Sequence, residues 1–170
     1  MYAVNDTVLY GADGVCTITD IVKKNMLGTA RLFYELHPVS RRDAVLFLPT
    51  DNEKTMAKLR RVLTRDEILS AIRSMPEEET IWIDKESERR EAYSRIIRSG
   101  DHRQVIRLIK TLYEHREQLT DSGHRMHAAD VNFLKEAEGV LYEEFAYVLN
   151  IRREDVLPFI QSEIEKKQGA

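Results

Sequence analysis

The hydrophobic pattern of this chain changes at Thr64. Before this residue, short runs of β-branched and aromatic residues alternate with turn residues, which is typical of β-strands. After it, apolar residues recur at three- and four-residue spacing, which is typical of amphipathic helices. A chain of 170 residues with 42% apolar content is long enough to bury a core in each part. We therefore predict an α+β protein, with a β domain over residues 1–63 and an all-α helical domain over residues 64–170.

The β domain is predicted to be a small SH3-like barrel. Four runs have strand composition, namely Thr7–Tyr10, Gly14–Val22, Arg31–Val39 and Ala44–Leu48. Gly11 and Gly14 fit a hairpin turn between the first two. Four or five short strands in about sixty residues are too few for a large sandwich, so a small barrel is the expected solution. An edge strand of such a barrel can accept a strand from another protein.

Helix signals divide the remaining residues into five segments. Thr64-Arg-Asp-Glu67 is a capping box, since the threonine and glutamate side chains satisfy each other's free amides. Ser99-Gly100 ends one helix, and Asp101 caps the next. The predicted helices run from Thr64 to Met75-Pro76, from Glu78 to Arg98, from Asp101 to a loop at Thr120–Gly123, over Ala129–Leu149, and from Arg153 onwards.

Several classes of protein are disfavoured by the sequence. A single cysteine, Cys16, excludes an internal disulfide and is expected to be a small buried hydrophobe. No run is long enough to cross a membrane and no signal peptide is recognisable, so we expect a cytoplasmic protein. P-loop and G-x-S-x-G motifs do not occur, and we expect neither an enzyme nor a cofactor.

The spacing His124-x-x-His127-x-x-Asp130 resembles a metal site by residue type alone. It lies across a predicted loop, has no cysteine and lacks a clear fourth ligand. The three residues are therefore interpreted as loop and N-cap residues, and no metal is predicted.

A basic band follows the only tryptophan. Between Glu88 and Arg116 there are eight basic residues and four acids, whereas the whole chain has a net charge of −3. Arg103, Arg107 and Lys110 lie on one face of the third helix, opposite its apolar face, which favours contact with phosphates. The alternative is a solvated face with ordinary ion pairs. Trp82 is likewise either a core anchor or an exposed stacking surface.

Motifs along nearly the whole chain suggest a known family. The opening run V-x-D-x-V-x-Y-G-x-x-G-V at Val4–Val15 is followed by Phe47-Leu48-Pro49, by Ser99-Gly100-Asp101 and by Glu143-Glu144-Phe145-Ala146. In this order they resemble the CarD/CdnL family of bacterial transcription regulators. That resemblance implies a Tudor-like N-terminal domain that binds the RNA polymerase β subunit. It also implies a helical domain that stabilises promoter open complexes through weak, non-sequence-specific DNA contacts.

The resemblance also assigns residues to both contacts. The DNA-binding set would be Trp82 as a minor-groove wedge, with Arg89, Arg90, Arg103, Arg107 and Lys110 at phosphates. The polymerase-binding set would be Lys24, Val45, Leu46, Phe47 and Leu48. Phe47 stands where some members carry arginine, so an apolar contact is expected there.

A second hypothesis is a polymerase-bound adaptor whose helical domain recruits another protein. Burial of Trp82 and pairing of Arg103 and Arg107 with nearby acids would favour this adaptor. A hydrolase or metal enzyme is the remote third alternative.

Overall fold

A computed structural model describes residues 1–169 of the chain. The Cα positions divide into two compact units, the first spanning Met1–Val62 and the second beginning at Leu63. We call them the β unit and the helical unit, and describe each by itself. None of the helices in residues 1–169 is long and apolar enough to cross a membrane.

The β unit is a five-stranded antiparallel sheet. The strands are β1 (Thr7–Tyr10), β2 (Gly14–Met26), β3 (Thr29–Pro38), β4 (Leu46–Pro49) and β5 (Leu59–Arg61). Their order in the sheet is β4-β3-β2-β1-β5, so β4 and β5 are its two edges. The long β2–β3 hairpin has a register shift between Ile18 and Asp20, which bends the ladder. A short 3₁₀ turn, Gly11–Asp13, joins β1 to β2 as the glycine spacing predicted.

The first three predicted strands are present, but only β1 has the predicted bounds. β2 continues to Met26 instead of ending at Val22, and β3 spans Thr29–Pro38 instead of Arg31–Val39. β4 begins at Leu46 instead of Ala44, and β5 lies in a segment where we predicted no separate strand. A one-turn helix, α1 (Glu53–Met56), was also missed, although Asn52 caps it by accepting from the Thr55 amide. The predicted closure into a barrel is not shown, because the two edge strands do not pair.

The core of the β unit comes from alternate residues of neighbouring strands. Val8, Cys16, Ile18 and Leu36 are fully buried, and Leu48 joins them at 6% exposure. The burial of Cys16 agrees with its interpretation as a small hydrophobe. The sheet thus buries one cluster of apolar side chains and leaves the edge strands available.

The helical unit contains α2 (Arg65–Ser74), α3 (Glu86–Ser99), α4 (His102–Asp121), α5 (Ala128–Leu149) and α6 (Arg153–Gln168). A 3₁₀ turn, Met75–Glu77, ends the first of them. The predicted capping box is present in both directions, with Thr64 and Glu67 bonded to each other's amides. Asp101 caps α4 through the amides of Arg103 and Gln104.

The second predicted helix was wrong at its start. It begins at Glu86, eight residues later than Glu78, and residues 78–85 have no regular secondary structure. The acids after Pro76 therefore do not open a helix. Apolar side chains from α2 to α6 form one core, in which Ile72, Tyr93, Leu108 and Phe145 are fully buried.

Candidate functional site

Residues 78–85 stay non-helical because side chains of neighbouring helices satisfy their backbone. The Ile81 amide donates to Thr111 Oγ1 at 2.9 Å, and the Tyr93 hydroxyl donates to the Ile81 carbonyl at 3.0 Å. Burial of Tyr93 raises the pKa of its phenol to about 12, so it remains a donor at neutral pH. These two bonds fix the backbone directly before Trp82.

Trp82 is partly buried, so its burial is intermediate between that of a core anchor and that of an exposed stacking surface. Its ring stacks on the His115 imidazole, with centroids 3.7 Å apart and planes 20° apart. The indole Nε1 donates to Asp84 at 3.0 Å, and the Arg89 guanidinium lies 4.5 Å from the ring centroid. Burial lowers the pKa of His115, which favours the neutral form of its imidazole. Trp82 is therefore held in one orientation with part of its surface accessible.

Arg89 lies in the interior of the helical unit. Its Nε and Nη2 donate to the two carboxylate oxygens of Asp130 at 2.9 and 3.1 Å, and the side chains are 4% and 1% exposed. Its Nη1 donates to the carbonyls of Ile83 and Asp84. The guanidinium thus binds α5 to the Trp82 segment. A contact between Arg89 and DNA stays a prediction.

Two exposed arginines of α3 form local ion pairs. Arg90 donates to Glu86 at 2.6 Å and Arg95 to Glu91 at 3.2 Å, each pair spaced i,i+4 on the helix. The bonds from Arg90 lower the pKa of Glu86. This is the solvated arrangement that the alternative interpretation of the basic band expects.

Two of the three residues in the basic stripe of α4 bind one carboxylate. Arg103 Nε and Arg107 Nε donate to Glu78 at 3.0 and 2.8 Å, and the Glu78 side chain is only 9% exposed. Lys110 Nζ donates to the carbonyls of Pro76 and Glu78 at 2.8 and 2.7 Å. The bond from Arg107, more than that from Arg103, lowers the pKa of Glu78. The stripe exists as predicted in its positions, but part of its charge is already neutralised.

The predicted polymerase-binding residues differ in how far their side chains are exposed to solvent. Val45 and Phe47 are 42% and 40% exposed, Leu46 is partly buried and Leu48 lies in the core. Lys24 Nζ sits 3.1 Å from the centroid of the Phe47 ring, a cation–π contact. Because Phe47 lies on the edge strand β4, this cation–π pair is next to unpaired backbone.

The candidate metal residues do not converge. In residues 1–169 no group of three or more His, Cys, Asp or Glu side chains has the arrangement of a metal site. Asp130 is paired with Arg89, whereas His124 and His127 line a surface pocket beside Trp82.

Sequence reasoning missed the partners that organise the Trp82 segment. Glu78 was predicted only as the first residue of a helix, and His115, Thr111 and Asp130 were not connected to Trp82. The only available signal was the β-branched composition of Thr80–Ile83, which disfavours a helix there.

Residues 2–63 match the family model of the CarD-like/TRCF RID domain. The match covers the β unit from Tyr2 onwards, and it includes only the first residue, Leu63, of the helical unit. The β unit is therefore similar to CarD-like/TRCF RID domains. The comparison with curated proteins gives no match.

Proposed function

We propose that this protein is a non-enzymatic, transcription-associated factor whose β unit binds RNA polymerase through the β subunit. The match of residues 2–63 to the CarD-like/TRCF RID domain is the observation that carries this proposal. Interaction with RNA polymerase is the general role of that domain family.

The contact we propose lies at the edge strand β4. This strand pairs only with β3 in the sheet, so its other side can accept a strand from a partner. Phe47 supplies an exposed aromatic side chain there, and Lys24 places a positive charge on its ring. Leu48 contributes by packing the strand onto the core, since it is 6% exposed.

The finer part of the proposal is that the helical unit stabilises the promoter open complex through weak DNA contacts. Trp82 presents a partly accessible indole, and the side chains of Arg90 and Arg103 are 58% and 63% exposed. Polymerase binding would raise the effective concentration of these groups at the promoter, so a weak contact suffices. A phosphate bound at Arg103 would share the guanidinium group with Glu78.

The second candidate is an adaptor whose helical unit recruits another protein. A specific observation favours it: Glu78 already binds Arg103 and Arg107, and the Trp82 ring is stacked on His115. Both candidates share the polymerase contact and differ in what the helical unit touches.

Binding of the full-length protein to the purified RNA polymerase β subunit tests the shared contact. We expect saturable binding that Phe47→Asp weakens by at least about tenfold, because the charge is placed at the centre of the contact. Val39→Asp is the matched control, since Val39 is 41% exposed against 40% for Phe47 but lies outside β4. Absence of binding by the unmodified protein would overturn the proposal.

The lifetime of a promoter open complex distinguishes the two candidates. Under the DNA proposal, the protein lengthens this lifetime, and Trp82→Ala shortens it again without changing binding to the β subunit. Arg95→Ala is the control and should leave the lifetime unchanged, because Arg95 is exposed but is not among the residues assigned to DNA. If Trp82→Ala acts like the unmodified protein, the adaptor is favoured.

A further inference from the structure

The helical unit has an apolar groove on the side formed by the 3₁₀ turn and helices α4, α5 and α6. Its cavity volume is about 360 Å³. The apolar walls come from the side chains of Met75, Ile109, Leu141, Leu157, Ile160 and Ile164. Leu157 is 36% exposed, so the groove is open at α6. An open apolar groove between helices is the kind of surface that the apolar face of an amphipathic helix binds.

The rim of this groove carries negative charge without a partner. Glu114 and Glu117 lie on the exposed side of α4, and within residues 1–169 neither carboxylate has a hydrogen bond or an ion pair. Among the described residues that line the groove, Lys110 is the one cation, and its ammonium group is bonded to the carbonyls of Pro76 and Glu78. Arg116 lies against the Tyr113 ring, 4.6 Å from its centroid. The two free carboxylates are therefore the groups that an incoming chain would meet.

We infer that this groove binds a basic amphipathic helix of a partner protein. The apolar face of that helix would enter between α4 and α6, and its Lys or Arg side chains would pair with Glu114 and Glu117. Charge complementarity selects a basic over an acidic helix, because the two carboxylates repel a second acid. The inference goes beyond the polymerase contact and does not depend on it.

Peptide binding to the full-length protein tests the inference. The probes are two fluorescein-labelled peptides of about 18 residues, long enough to form a helix, with the same leucine pattern. One carries lysine and the other glutamate at every polar position. We expect saturable binding of the lysine peptide in fluorescence anisotropy, with an affinity at least about tenfold higher than that of the glutamate peptide.

Two pairs of variants locate the binding. The double variant Glu114→Gln/Glu117→Gln should lower the affinity for the lysine peptide by about three- to tenfold, since it removes two exposed charge contacts. Glu136→Gln should leave this affinity unchanged, because Glu136 is an exposed acid of α5 outside the groove. Leu157→Asp should abolish binding, whereas Val131→Asp, at 42% exposure outside the groove, should leave it unchanged.

Three results would overturn the inference. The first is equal affinity for both peptides, and the second is lysine-peptide binding that survives both groove variants. The third is a dimer in sedimentation that Leu157→Asp dissociates, because the groove would then be filled by a second copy of this chain. Circular dichroism of each variant confirms that it is folded, and polymerase is absent from every assay.

Discussion

Arg89 and Asp130, which are 41 residues apart in sequence, form a bidentate ion pair in the interior of the helical unit. Arg89 also donates to the carbonyls of Ile83 and Asp84, so one guanidinium connects α3, α5 and the segment that carries Trp82. A buried charge of this kind is stable only while its partner is present. The orientation of Trp82 therefore depends on a residue on a distant helix.

Asp130→Asn should destabilise the helical unit by about 3–5 kcal/mol, because it leaves the Arg89 charge buried without its counter-ion. Urea denaturation followed by Trp82 fluorescence measures the change. Glu91→Gln is the control, since it breaks the exposed pair with Arg95 and should cost less than about 1 kcal/mol. Equal effects of the two substitutions would contradict the structural role of the buried pair.

Thr111→Val should destabilise the protein by about 1–3 kcal/mol, because the Ile81 amide loses its acceptor. Thr120→Val is the matched control. Both hydroxyls donate to the carbonyl four residues earlier in α4, but Thr120 is exposed. Thermal unfolding should therefore show a larger fall in melting temperature for Thr111→Val than for Thr120→Val. A similar loss of stability in both would show that the bond to Ile81 contributes little.

Glu78→Gln should lower the stability by about 1 kcal/mol at pH 7, since both arginines lose a charged acceptor. The folded state lowers the pKa of Glu78 below its ordinary value of 4.5. Its contribution is thus complete above pH 4.5 and is lost as the pH falls through the lowered pKa. The difference in melting temperature between the two proteins should shrink over this acidic range. A difference that is the same at pH 7 and at strongly acidic pH would contradict this origin.

His115 should control the fluorescence of Trp82, the only tryptophan in the chain. A protonated imidazole stacked on an indole quenches its emission, so emission should fall as the pH is lowered. Burial lowers the pKa of His115, while Asp130 opposes this and Arg89 and His127 add to it, so the midpoint should lie below 6.5. His115→Gln should abolish the transition, whereas His102→Gln should leave it unchanged. A midpoint above 6.5 would contradict burial as the dominant cause.

The lowered pKa of His115 also makes the stability of the protein depend on pH. Because the folded state disfavours the protonated form of His115, the unfolded chain binds more protons below pH 6.5. The folded protein should therefore lose stability as the pH falls through 6.5, and His115→Gln should remove this part of the loss. Chemical denaturation at a series of pH values measures it.

Local signals in the sequence determined most of the secondary structure. The capping box at Thr64, the cap at Asp101 and the period of the apolar residues predicted where α2, α4 and α5 lie, because these signals act within one helical turn. The three-residue strand β5 gave no usable pattern, since so short a strand is defined by its pairing with β1.

The spacing of Arg103, Arg107 and Lys110 also predicted that they lie on one face of a helix, because helical periodicity alone determines that face. The residues that this face contacts depend on how the helices pack against one another. Glu78 lies 25 and 29 residues before the two arginines, and it reaches them because residues 78–85 remain non-helical and pack beside α4. The start of α3 at Glu86 was decided in the same way, by side chains of Tyr93 and Thr111 that bind the backbone of Ile81. Spacing along the chain cannot predict such partners, because they depend on how separate helices pack.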